Sequence, residues 1–131
     1  MPQALSLSRL ARASATHVAV GFLVMGAWAW WVNRDHGAGP AALAGLAQGV
    51  MSGLLTLGLK RGLEAMAERL SGPVAYVLPP LTGLVLIGAT LSAVHRLIGT
   101  PEIAATIAFP LTLSTTYAAV YTALIVRKRA R

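Results

Sequence analysis

The chain has 131 residues, 56% of them apolar and only 11% charged, with a net charge of +7 and no cysteine. A soluble domain covers its surface with roughly 25% charged residues, which this chain lacks. The missing cysteine excludes disulfides, thiolate metal sites and cysteine nucleophiles. The positive charge has a simpler source than nucleic acid, because basic residues gather in the cytoplasmic loops of membrane proteins; no nucleic-acid partner is expected.

The charges are segregated. Residues 13–32, 37–59, 70–94 and 103–126 contain no Asp, Glu, Lys or Arg. Each run is about the roughly 20 residues that cross a ~30 Å hydrocarbon core as a helix. A lipid-exposed span must pair its own backbone groups, and these runs are longer and more uniformly apolar than alternating barrel strands, so helices are predicted.

In chain order, residues 1–12 form a short head with Arg9 and Arg12. The apolar run that follows exceeds the roughly 7–15 residues of a cleaved signal, so a retained span is expected. Helix 1 covers residues 13–32 and ends in Trp28, Trp30 and Trp31, residues suited to a membrane interface. A tight loop precedes helix 2, at residues 41–59. Residues 62–70 read as a short amphipathic helix: Leu63, Met66, Ala67 and Leu70 share one face, with Glu64, Glu68 and Arg69 on the other. Such a helix is expected to lie along the headgroups. Helix 3 covers residues 74–97, unless Pro79 and Pro80 break it or precede it. Helix 4 covers residues 102–126, and Arg127, Lys128, Arg129 and Arg131 follow it.

Nine of the eleven basic residues fall in the head, in the loop between helices 2 and 3, and in the tail; Arg34 and Arg96 occupy the other two loops. The positive-inside rule then places both termini in the cytoplasm. The Ala, Gly and Arg usage fits a bacterial inner membrane. The expected fold is an all-α, integral membrane bundle of four transmembrane helices. It forms one domain over residues 1–131, as two antiparallel hairpins joined by the interfacial amphipathic helix. The recurrence of glycines, a polar-basic pair, a proline and a basic end in each half suggests a weak internal repeat of the hairpin.

Two patterns could carry function. In helix 2, Gly45, Gly49 and Gly53 form a doubled GxxxG that lets helix backbones approach closely, and Gln48, Ser52 and Thr56 run beside it. The glycines serve either packing within the chain or a seam with a partner. In helix 4, Thr106, Pro110, Ser114, Tyr117 and Tyr121 fall within about an 80° arc. Polar groups near the middle of a span usually face the bundle or a cavity. Gln48, Ser52, Thr56, Thr106, Ser114, Tyr117 and Tyr121 are therefore the substrate-lining candidates.

His17, His36 and His95 are spread over both ends of the spans and are expected to face water, so no metal site and no cofactor is expected. No acidic residue lies inside any of the four uncharged runs. With no HExxH, GxSxG or paired carboxylates, no catalytic residue is nominated and an enzyme is not expected. The expected function is transport or permeation of a neutral, apolar or amphipathic small molecule or lipid, as a homo-oligomer. The alternative is an accessory or scaffolding subunit of a larger membrane complex, held through the glycine seam. The expected partners are the lipid bilayer, a second copy or a membrane-complex subunit, and anionic lipid at the basic tail.

Overall fold

The computed structural model describes the backbone of residues 2–131 and the side chains of residue 9 and residues 12–131. Four α-helices account for nearly all of it: α1 (Pro2–Asn33), α2 (Ala38–Arg69), α3 (Val74–Leu97) and α4 (Ile103–Arg129). A 3-10 turn, Arg34–His36, joins the first two. All four helices are long and apolar enough to cross a membrane, as in a multi-pass membrane protein. The α1–α2 and α3–α4 turns lie at one end of the bundle, the turn end. Lys60, Arg61, Arg69 and the basic run after Val126 lie at the other, the basic end.

Two expected boundaries move. The head is not a separate segment, since α1 is helical from Pro2. Residues 62–70 do not form a separate helix either: α2 runs through Lys60 and Gly62 to Arg69 without a break. A glycine costs a helix only about 1 kcal/mol relative to alanine, and the residues after it are strong helix formers. The periodic stripe faces the bundle interior rather than the headgroups. Leu63 and Ala67 are buried in the bundle, and that burial holds the last two turns of α2 in line. Leu70 then turns extended, and Gly72, at φ +67°, releases the chain into Pro73.

Pro79 and Pro80 neither break α3 nor precede it. They sit buried in its second turn, inside a helix that starts at Val74. Their missing N–H groups leave the carbonyls of Ala75 and Tyr76 without their usual donors, a loss confined to the first turns. At the far end Gly99, at φ +72°, closes α3, with Thr100 N–H donating to the His95 carbonyl at 2.9 Å.

The bundle is two tight pairs, α1 with α2 and α3 with α4, packed more lightly on each other; among the described residues α1 and α3 do not touch. Its interior is built mostly of small and polar residues, around Met25, Leu63, Ile87 and Leu91. Ala29, Ala41, Ala44, Ala67, Ala75 and Ala118 are buried beside Asn33, Gln48, His95, Thr106 and Thr122. Most large apolar side chains point outward instead, Leu23 at 66% exposure and Leu54 at 67%. A protein folding in water would invert this pattern; hydrocarbon around the bundle accounts for it.

The α1–α2 contact is made by glycine. A Cβ on Gly49 would meet the Phe22 carbonyl oxygen at 2.9 Å, one on Gly45 the Gly26 oxygen at 3.0 Å, and one on Gly53 a Val18 methyl at 3.1 Å. The stripe is therefore occupied within the chain and is not free for a partner. Gly58, by contrast, has open space around its Cβ position. Gly49→Ala should lower the stability of the folded chain in detergent by about 1–3 kcal/mol, because backbone cannot move aside as a side chain can. Gly58→Ala should leave it unchanged or slightly higher. Thermal unfolding followed by circular dichroism checks both.

Candidate functional site

The polar residues of the interior form three separate groups. The first lies at the turn end between α1 and α4. Asn33, fully buried, donates from Nδ2 to the Ala29 carbonyl and to Thr106 Oγ1, both at 2.8 Å, and its Oδ1 accepts from the backbone N–H of Glu102 at 3.0 Å. The Thr106 hydroxyl in turn donates to the Glu102 carbonyl at 2.6 Å. Trp28 donates its indole N–H to the Ala105 carbonyl at 3.1 Å and packs on Phe109. His36 Nε2 lies 2.9 Å from Glu102 Oε1. Each amide position of Asn33 is used, so this group is a clamp rather than a lining. Thr106, nominated from its place on the α4 arc, is consumed in it.

The second group ties α2 to α3. Gln48 donates from Nε2 to Ser52 Oγ at 2.9 Å, its Oε1 lies 2.9 Å from His95 Nε2, and His95 Nδ1 lies 2.7 Å from Thr100 Oγ1. The amide oxygen can only accept, so with this amide orientation the proton sits on Nε2 and the Thr100 hydroxyl donates to Nδ1. The expectation that His95 faces water is overturned: it is fully buried. It lies in the last turn of α3, on the face that meets Gln48 of α2. Thr56 is exposed and bonds its hydroxyl to the Ser52 carbonyl of its own helix at 2.7 Å, as serines and threonines in helices commonly do.

The third group lies at the basic end, between α2 and α4. Tyr121 donates its hydroxyl to Glu64 Oε1 at 2.5 Å, at the short limit of a charge-assisted bond. The Tyr117 ring stacks on Tyr121, with centroids 5.3 Å apart and planes inclined by 10°. Ser114, one turn back, is half-buried. Glu64 was expected on a headgroup-facing surface. Because α2 is continuous, its carboxylate instead meets the polar arc of α4, so the chain does bring an acid to that arc. Arg129 donates to the carbonyls of Ala67 and Glu68, capping the end of α2. That part of the basic tail is docked on the chain itself, while Arg127, Lys128 and Arg131 are exposed.

The nominated lining residues thus do not converge. Gln48 and Ser52 belong to the second group, Thr106 to the first, and Tyr117 and Tyr121 to the third; Gln48 and Glu64 are about 24 Å apart along α2. Among the described residues no three of His, Asp or Glu come together as a metal site. The pockets on the bundle are apolar. A groove of about 280 Å³ runs between α2 and α3, walled by Leu55, Leu59, Leu63, Met66, Pro79 and Ile87 and floored where Gly58, Gly62 and Gly83 carry no side chain. Sequence reasoning missed Asn33, His95, Thr100 and Glu64. Only Asn33 carried a local signal, as a polar residue at the close of a tryptophan-rich span.

A scan against protein-family models gave no match, and searches of curated proteins and of solved structures gave none either. The functional reading therefore rests on the geometry.

Removing one partner of a satisfied buried pair strands the other. Gln48→Leu should destabilise the fold by about 1–2 kcal/mol in mixed-detergent unfolding. The double variant Gln48→Leu with His95→Leu should lose less than the sum of the two single changes, the signature of a shared bond.

Proposed function

We propose that this chain is a multi-pass protein of the bacterial inner membrane. Its four helices cross as two antiparallel hairpins with both termini in the cytoplasm. It takes an apolar or amphipathic small molecule or lipid into the α2–α3 groove and carries it within or across the bilayer, as a homo-oligomer. The groove carries this reading. It is apolar, open at the side of the bundle, and about the volume of a short acyl chain or a small drug-like molecule. Lys60 and Arg61 stand exposed on α2 between the groove-lining Leu59 and Gly62, where they suit an anionic headgroup. The three polar groups leave it free, since each pairs mainly with itself.

The accessory reading now needs a different contact. α1 covers the Gly45–Gly49–Gly53 face, so a partner helix would use the groove, where Gly58 and Gly62 repeat the small-residue spacing on an uncovered face. Native mass spectrometry from the host membrane separates the two: stoichiometric foreign subunits favour the accessory role, and a homo-oligomer with co-purifying lipid favours carriage.

Two measurements test the proposal. A fluorescent short-chain phospholipid should cross proteoliposome bilayers faster with the protein than without it. Gly58→Trp, which fills the groove from a position with no neighbours to displace, should remove most of that gain. Flux equal to the parent protein's would rule the groove out. For orientation, a single cysteine at position 36, the only one in the chain, should react with an impermeant maleimide added outside intact spheroplasts and not with one confined to the cytoplasmic side.

A further inference from the structure

We propose that Glu64, Tyr117 and Tyr121 form a binding site for a lipophilic organic cation, a quaternary ammonium or phosphonium, at the basic end of the α2–α4 interface. The site goes beyond the carrier function proposed above. It lies on the far side of α2 from the groove and does not require that anything be carried.

The first observation is the carboxylate. Glu64 is partly buried, and among the described residues only its Oε1 has a hydrogen-bond partner, Tyr121. The chain carries net charge +7, and Lys60 and Arg61 stand one turn away on the same helix. Even so, among the described residues Glu64 makes no ion pair, whereas Arg34 pairs with Asp35 and His36 lies against Glu102. The carboxylate has turned from the nearby cations toward an aromatic pair, keeping one oxygen uncommitted.

The second observation is the aromatic surface. Tyr121 covers one face of Tyr117 in a near-parallel stack, and Tyr117 remains 42% exposed, so ring surface stands open beside the acid. A ring face and a carboxylate together select a particular chemistry. Metal ions and primary ammonium groups are strongly hydrated and gain little from a ring. A quaternary cation is weakly hydrated, cannot donate hydrogen bonds, and gains both from the ring quadrupole and from the fixed negative charge.

The third is position. Tyr121 lies about 9 Å and Tyr117 about 15 Å from the basic run that closes α4, at 1.5 Å per residue. That depth suits a ligand with an apolar body and a charge near the interface.

The test is equilibrium dialysis of radiolabelled tetraphenylphosphonium against the full chain in mild detergent, corrected for a detergent blank. The unmodified protein should bind the cation saturably and bind tetraphenylborate, of the same shape and opposite charge, more weakly. Glu64→Gln keeps an oxygen to accept the Tyr121 hydroxyl while removing the charge, and should weaken tetraphenylphosphonium by about tenfold. Tyr117→Phe should bind within about twofold of the parent, and Tyr117→Leu several-fold more weakly. Equal binding by parent and Glu64→Gln overturns the proposal. So does a preference of the unmodified protein for the borate, or no saturable cation binding, and those two results need no variant to fold. Because Gly58→Trp leaves this site untouched, loss of lipid flux in that variant with cation binding intact would separate the two sites.

Discussion

The Phe22 carbonyl oxygen lies 2.9 Å from where a Cβ on Gly49 would stand, and the rest of the bundle depends on that approach. Between apolar helices in lipid there is no hydrophobic drive to associate, so close packing has to supply the attraction. Glycine at Gly26, Gly45 and Gly49 brings the two backbones together, and the approach sets which residues of α1 can reach farther. Trp28 and Asn33 project past α2 onto the first turns of α4. α2 is left with its remaining faces for α3 and α4, and among the described residues α1 does not meet α3.

A thin bundle of this kind cannot hide polar side chains by depth, so it hides them by pairing. Asn33, Gln48, His95 and Thr106 are fully buried, and each is engaged by a neighbour on another helix or turn. Among the described residues Thr122 is the buried side chain whose hydroxyl has no partner. These bonds also fix register. A slip of one turn between α2 and α3 would part Gln48 from His95 and leave two buried polar groups unpaired. The polar interior therefore specifies the arrangement, and the glycines set its tightness.

The four spans were legible because the segregation of charge is a one-dimensional signal. Gly45, Gly49 and Gly53 were legible as a close-packing stripe, but which helix filled it was not, since spacing says nothing of the partner. The break expected at Gly62 was a misreading with a definite cause. Lys60 and Arg61 look like the end of a span, and nothing local reveals that Leu63 and Ala67 have a buried face to join. That one error carried Glu64 to the wrong surface and removed the acid from the α4 arc. His95 was hidden for a related reason. Its partners Gln48 and Thr100 lie in two different segments, and a helix-to-helix hydrogen bond leaves no periodic trace.

The polar ties between helices are unevenly placed along the bundle. At the turn end Asn33, Trp28, His36, Gln48 and His95 bind α1 to α4 and α2 to α3. At the basic end the polar links between α2 and α4 are the Tyr121–Glu64 bond and the contacts of Arg129 with the last carbonyls of α2. A bundle clamped at one end moves most readily at the other, where fewer interactions must break together. Both the apolar groove and the Glu64 cluster lie toward that less restrained end, about half a turn apart around α2. A ligand in the groove would bear on α3, whereas one on the Glu64 carboxylate would compete for the charge that holds Tyr121. α2, unbroken from Ala38 to Arg69, is the one element that both would press upon.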